Sequence, residues 1–422
     1  MHTHWQWIGI VVAAAPAIGQ GALDAGSEGD TRAIVAAMLA DAGTRSSVLQ
    51  SGPSAGHDGG FFIQSADGAF RLSAGGVLQF RYAYNHLTGS GEDDESGFFF
   101  PRVRLWLNGT GPGPLSYRVR GQFSGSNKEG FAEERTIGGF FELDQAWANI
   151  KLSDHWGLRL GQQSSEFSRE NDLAPQDQLG VNASPTDSVF GFGGYQGVRL
   201  AYQGDDARLF LTFSDGMRNK NSDYDDPRNA DFALTAKGDW LIAGEWSRFG
   251  DFTSRPGSEF AMMLGSGIHW ENGADVGDPA RNLSLLGAIA ELSLEGNGWS
   301  LYSAFHYFRN TFLRTGDEHF DDYGLVVQGS LYLTDRIEPF VRFDAVFADA
   351  DRPERNQDFR TITAGLNYYP FPGSSAVKAS LDVMYMLDDE ADALVNPSSN
   401  TGVQASTGDD QLAFRAQVTV VF

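Results

Sequence analysis

The chain has 422 residues, a formal net charge of −24 and a sequence pI of about 4.6, a balance that argues against nucleic acid as a partner. Cysteine is absent, so there is no disulfide scaffold, as suits an exported chain. Mean hydropathy is −0.30 and no apolar run beyond the N-terminus approaches the length of a spanning helix, which excludes helical membrane proteins but not alternating barrel strands.

Residues 5–18 are apolar apart from Gln6, and Ala15-Pro16-Ala17-Ile18-Gly19 offers small residues for cleavage. A secretory signal over 1–19 is expected, although only His2 and His4 stand where a positive region belongs. Residues 20–60 then read as a periplasmic helix and linker. The helix covers 30–41, with Asp30 as cap and Ile34, Ala37 and Met38 on one face. Residues 46–60 are rich in Ser and Gly and read as the linker. Within them Gly52-Pro53-Ser54-Ala55-Gly56 formally matches a hydrolase nucleophile elbow, but the required strand before it and helix after it are missing.

From Phe70 onward one pattern repeats: about ten to fourteen alternating residues, then a turn or a polar loop. In the first run Phe70, Leu72, Ala74, Leu78, Phe80, Tyr82 and Tyr84 alternate with Arg71, Ser73, Gln79, Arg81 and Asn85. Further runs fall near 98–109, 114–125, 140–153, 156–166, 193–203, 206–214, 230–241 and 259–270. The rest lie near 283–295, 298–310, 321–334, 336–349, 359–370, 375–388 and 410–422. These make about sixteen strands over 61–422, an even number, as single-chain bacterial barrels have. Soluble strands run about five or six residues and tilted membrane strands about nine to eleven, so length favours the membrane.

The connections alternate in length. Short ones are 109–114, 154–155, 204–206, 296–298 and 335–336; long polar ones are 87–97, 126–139, 167–192, 215–229, 271–282, 311–320, 350–358 and 389–409. The expected architecture is therefore an all-β, transmembrane, antiparallel up-and-down β-barrel with short periplasmic turns and long extracellular loops. Residues 243–258 break the rhythm, being long where a short turn belongs.

Aromatics near strand ends (Tyr82/Tyr84, Phe98 to Phe100, Trp147/Trp156, Tyr332, Tyr368/Tyr369) suit interfacial girdles. With apolar positions outward, the lumen receives Arg71, Arg81, Arg102, Arg104, Arg118, Arg120, Arg159, Arg199, Arg208, Lys237, Arg342, Lys378 and Arg415. Glu338, Asp344 and Asp382 are the clearest acids on that face; the others gather in loops, as at Glu92-Asp93-Asp94-Glu95. An acidic chain thus acquires a basic inner wall, and rings of Arg or Lys favour anions. Pairing with a plugging loop is the alternative role for the same arginines. Runs 140–153 and 298–310 have no clean facing.

Loop 167–192 carries Pro175, Pro185 and Phe190, and a barrel this wide needs a constriction. Folded inward as the third loop, it brings Arg169, Glu170, Asp172, Asp177 and Asp187 to the filter. The last run is the most regular, with Leu412, Phe414, Ala416, Val418, Val420 and Phe422 opposite Gln411, Arg415, Gln417 and Thr419. A strand ending on Phe422 matches the signal read by the barrel-assembly machinery, so that machinery and outer-membrane lipid are expected partners.

Several stretches together resemble the phosphate-selective porin O and P type. They are Phe100-Pro101-Arg102-Val103-Arg104, Asp144-Gln145-Ala146-Trp147, and Gly161-Gln162-Gln163-Ser164-Ser165-Glu166-Phe167-Ser168-Arg169-Glu170. Pro339-Phe340-Val341-Arg342-Phe343-Asp344 and Gly365-Leu366-Asn367-Tyr368-Tyr369 followed by Lys378 look similar to the family's last hairpins. The resemblance covers most of 61–422 and implies a 16-stranded homotrimeric outer-membrane channel narrowed by its third loop. This chain departs from the family pattern where a third basic residue beside Arg102 and Arg104, and lysines on the fifth loop, are expected. Phosphate tuning is thereby weakened.

Enzyme chemistry has little support. His86, His269, His306 and His319 lie on different strands or loops without a serine motif, and there is no His-Glu-x-x-His. Ser222-Asp223-Tyr224-Asp225-Asp226-Pro227 lacks the spacing and glycine of a calcium loop. No catalytic residue, metal or cofactor is expected. The reading is an outer-membrane porin for passive diffusion of small hydrophilic solutes, anion-leaning, with phosphate or polyphosphate as the specific candidate. Its pore lining would comprise Arg71, Arg81, Arg102, Arg104, Arg118, Arg120, Arg159, Arg169, Arg199, Arg342, Lys378 and Arg415, with Arg102, Arg104, Arg118 and Arg120 as a basic strip. The alternatives are a weakly selective porin, a plugged barrel with a structural or binding role and, more remotely, a soluble all-β carbohydrate binder.

Overall fold

Alternation decides the architecture. In the computed structural model each long run is a strand with an apolar side facing out, and along most of the wall the polar side faces in. The structure describes residues 54–57, 60–123, 141–226, 229–275, 282–312, 318–352, 357–389, 393–395 and 401–422. The expected signal, 1–19, and the helix at 30–41 lie outside them.

The strands are β1 (Ser54–His57), β2 (Phe61–Gln64), β3 (Arg71–His86), β4 (Glu95–Thr110), β5 (Leu115–Gln122), β6 (Glu142–Lys151), β7 (Trp156–Ser164), β8 (Gly194–Gln203) and β9 (Ala207–Ser214). They continue as β10 (Phe232–Ala243), β11 (Ala261–Asp275), β12 (Asn282–Gly296), β13 (Trp299–Phe312), β14 (Glu318–Leu331), β15 (Ile337–Phe347), β16 (Phe359–Tyr368), β17 (Val377–Met386) and β18 (Gln411–Val421). Each pairs antiparallel with the next from β3 to β18, and β18 returns to β3 from Leu412↔His86 to Val421↔Val77. Sixteen strands thus close a barrel with no free edge. Phe422 extends the seam by exchanging backbone hydrogen bonds with Gly76, whose missing side chain leaves room for the terminal ring.

The outer wall is apolar. Leu107, Val119, Leu211, Phe213, Ile242 and Val341 are exposed, while Gln79, Arg81, Lys237, Glu291, Arg342 and Arg415 are buried inside. In water such a surface would be an aggregation hazard; against hydrocarbon it is the favourable face. Trp156, Trp240, Trp270 and Tyr368 belong to that outer face. Trp147, Tyr332 and Tyr369 do not, contrary to the expected girdle: Trp147 lies on the lumen side opposite Arg118, and Tyr332 and Tyr369 are buried.

Two further departures matter. The supposed linker ends in structure: β1 pairs with β2, which pairs with the first residues of β3. The long periplasmic connection between β10 and β11 carries a 3-10 helix at Trp246–Gly250 and buries Phe249 and Phe252.

The third loop, 165–193, holds two short helices. In α1 (Arg169–Asp172) the Ser168 side chain accepts from Asn171 N; in α2 (Pro185–Phe190) Ser184 accepts from Asp187 N and Pro185 supplies a preset first turn. Phe167, Phe190 and Phe192 pack with Phe308 of β13, Phe167 and Phe192 also with His269 of β11 and Phe190 with His306, filling one side of the lumen with an apolar core.

Candidate functional site

What the third loop leaves open is a cavity of about 470 Å³ between it and the opposite wall. β4 to β7 supply Arg102, Arg104, Arg118, Arg120, Asp144, Trp147 and Arg159; the loop supplies Glu166, Glu170, Asp172, Leu173, Ala174, Pro175 and Asp187; Lys220 reaches in from the fourth loop. A basic wall therefore faces an acidic loop across the water path.

The cations of that wall fall into two kinds. Arg120 bonds Asp144 at 2.5 Å, with Arg104 and Lys220 each 3.4 Å from the same carboxylate. One acid thus partly offsets three cations. Arg102 instead donates to Gln79 at 3.3 Å and to Asn182 at 3.2 Å, and Arg118 donates to Asn108 at 2.7 Å. The Arg159 guanidinium lies 3.9 Å from the Trp147 ring centre. Neutral partners and rings position these groups without cancelling their charge.

On the loop, Glu170 accepts from Ser184 N and from Ser184 Oγ, each at 2.8 Å. Burial, and then the neighbouring Asp187, raises its carboxyl well above the ordinary range; burial likewise raises Asp187. Asp177 is raised to about 6 by burial and then by Asp251, and it sits apart from the main cavity beside Lys378.

Of the twelve expected pore-lining residues, five border the cavity: Arg102, Arg104, Arg118, Arg120 and Arg159. The other seven do not, and their contacts say why. Arg81 donates to Val181 O at 2.9 Å and Asn182 Oδ1 at 2.7 Å, Arg342 to Asn182 O at 3.1 Å, and Lys378 to Gln178 O at 2.7 Å. These three hold the inner segment of the third loop. Arg415 pairs with Asp382 at 2.8 Å and Arg199 pairs with Glu166. Arg71 lies 4.0 Å from the Phe62 ring, on the part of β3 that pairs with β2. Arg169, expected in the filter, is buried against Glu295 at 3.0 Å and over Phe252. Of the other expected filter charges, Glu170, Asp172 and Asp187 do border the cavity.

Three participants went unassigned in the sequence. Asp144 sits in a quoted motif, but only the fold brings it to Arg104, Arg120 and Lys220. Trp147 falls among the expected girdle aromatics by its place near a strand end, on a run whose alternation offers no clean facing and so no lumen residue. Lys220 comes from a loop with no periodicity to place it. Among the described residues no group of three or more His, Asp or Glu is arranged to hold a metal ion.

A closed strand wall with an apolar exterior, a polar interior and an infolded loop defines an outer-membrane porin. The family model for phosphate-selective porin O and P matches residues 74–418, and the chain belongs to that family. Solved structures agree on the fold. An anion-selective porin from Comamonas acidovorans aligns with a TM-score of 0.58 at 12% identity, covering 84% of this chain and 100% of that one. The outer-membrane channel DcaP of Acinetobacter baumannii gives 0.57 at 13%, covering 83% and 97%. OmpT of Vibrio cholerae in a trimer form gives 0.55 at 12%, covering 84% and 100%. A comparison with curated proteins gives no match.

Proposed function

We propose that this porin is an anion-leaning diffusion channel rather than a dedicated phosphate pore. The observation that carries the reading is the pair Arg102 and Arg118, which border the cavity with amide rather than carboxylate partners. Against phosphate specificity stands Asp144, which takes up charge from the three cations that otherwise converge there. Solutes move down their gradients with no turnover. Arg102, Arg104, Arg118 and Arg120 form the strip that biases passage, and Arg159 extends it around the wall of the same cavity. Of the remaining seven expected residues, Arg81, Arg169, Arg199, Arg342 and Lys378 hold the constriction in place.

Support for a trimer comes from the family and from the trimeric form of the similar OmpT. Unheated gel migration and chemical cross-linking test it. Phe422, seated on Gly76 at the closing seam, supports recognition by the assembly machinery. Deletion of Phe422 is expected to slow insertion. The direct test of the pore strip is the double substitution Arg118→Gln/Arg120→Gln: the reversal potential in a KCl gradient moves toward cation preference. An unchanged potential removes these residues from the solute path.

A further inference from the structure

Three arginines of the lumen wall share an arrangement that their neighbours lack. Arg118 lies over Trp106 at 5.8 Å, Arg159 over Trp147 at 3.9 Å, and Arg208 over Trp246 at 4.0 Å. None of the three has a carboxylate within 4 Å among the described residues, although Arg208 stands opposite Asp239 across the β9–β10 ladder, and the Nε atoms of Arg159 and Arg208 are buried without a hydrogen-bond partner. Arginines elsewhere on the wall, such as Arg120, Arg199 and Arg415, do pair with acids.

The three arginines lie at one end of the wall: Arg118, Arg159 and Arg208 are the fourth, fourth and second residues of β5, β7 and β9, each just past a short turn. Arg118 is level with Trp147, and Arg159 is level with Asn149, two residues nearer the periplasmic turn. Arg159 is level with Arg199, and Arg208 is level with Gln203, four residues further along β8. The last ring comes from outside the strands: Trp246 sits in the long periplasmic connection, anchored by its indole N–H to Asp205 O at 2.8 Å. At the Arg118 pair the sequence makes room, since Trp106 lies over Gly75, where any side chain would collide with its indole.

A cation held by a ring keeps its charge and most of its N–H donors, and the indole adds a flat apolar surface beside them. Across the upper cavity the third loop presents Leu173, Ala174 and Pro175 as well as its acids. An inorganic oxyanion uses only the charge. A carboxylate attached to a flat ring uses the guanidinium edge and the apolar surface together.

We propose that the channel selects planar organic anions, of the aromatic monocarboxylate class, and that the Arg–Trp pairs are its contact sites, with Arg159–Trp147 at the cavity itself. This rests on the anion-leaning reading above and names its solute class.

The test uses the full-length protein in planar bilayers, with sodium benzoate, sodium acetate and inorganic phosphate as probes, and bi-ionic reversal potentials as the readout. Benzoate is expected to permeate better than acetate although it is the larger ion, and better than phosphate. Trp147→Leu lowers the benzoate-to-acetate permeability ratio roughly threefold, the size of one ring–cation contact. Trp246→Leu, which lies outside the strands and leaves the barrel wall intact, lowers it in the same direction. Arg159→Gln lowers both that ratio and the preference for chloride over potassium. A wild-type ratio at or below that of free diffusion overturns the proposal, as does a ratio that neither Trp substitution moves. If chloride preference persists in that case, only the solute class has failed. If the wild type shows no anion preference, the underlying reading has failed with it.

Discussion

The Arg169 guanidinium lies 4.6 Å from the ring centre of Phe252, and so joins two segments that enter the barrel from opposite ends. Arg169 belongs to the third loop and Phe252 to the periplasmic connection between β10 and β11. The contact is reinforced by Phe252 N donating to Asp177 O at 3.3 Å, by Arg169 donating to Asp251 O, and by the Arg169–Glu295 pair. The constriction is thus braced from below as well as clamped from the wall.

Arg169→Ala should therefore loosen the constriction. It removes one partner of a buried ion pair and leaves Glu295 with Arg248 alone, at 3.3 Å, a loss of about 1.5–3 kcal/mol, the range for a hydrogen bond to a charged group. The expected result is faster proteolysis within the third loop and a noisier single-channel current. Limited proteolysis of detergent-folded protein reads this directly, and an unchanged cleavage pattern would remove the brace.

Asp144→Asn should act in the sense opposite to the arginine substitutions. Freed of the carboxylate shared by Arg104, Arg120 and Lys220, the wall gains positive charge and anion preference rises. Reversal potentials compare the two signs; a shift toward cations would show that Asp144 serves only to order the arginines.

Anion preference should also rise as pH falls from about 8 to about 5, above the range where ordinary carboxylates titrate. Burial raises Glu170 and Asp187, so these acids face the cavity charged at the upper end and protonated at the lower, while the arginines keep their charge. The same shifts mean that the folded loop holds those protons more tightly than the unfolded chain does. Its stability is lowest above the raised values and recovers as pH falls through them. A pH series of reversal potentials with no trend would contradict this.

Gly161→Ala should destabilise the wall behind the cavity. Gly161 has φ +119°, and an added methyl would stand 2.3 Å from Ala146 O, a backbone atom that cannot yield. A cost of about 1–3 kcal/mol is expected for holding a side chain in such a conformation. It is measured as a lower midpoint for the heat-induced loss of the folded gel band.

The barrel was legible because alternation and loop length are local properties: each of the sixteen expected runs overlaps one wall strand. Facing failed where the lumen is itself apolar. Along β13 Tyr302, Ala304, His306 and Phe308 point inward to receive the third loop, so both sides of the strand carry rings and small groups. The site was half legible. Arg102, Arg104, Arg118 and Arg120 follow from parity alone, but parity does not separate a water-lining arginine from one buried under a loop, as Arg81, Arg342 and Arg415 are. That distinction depends on where loop residues 178–182 lie, which is set by contacts across hundreds of residues. Similarly, 243–258 announced itself only as too long; Trp246 and Phe252 acquire their roles once the segment turns inward.

The most direct measurement is the zero-current potential of the purified protein in a planar bilayer across a KCl gradient at neutral pH. The arrangement of Arg102, Arg118 and Arg159 predicts ionic conductance with chloride favoured over potassium. Conductance that favours potassium would mean that the loop carboxylates govern the path, and protein shown to be inserted yet silent would mean that the third loop and the periplasmic segment close the barrel outright.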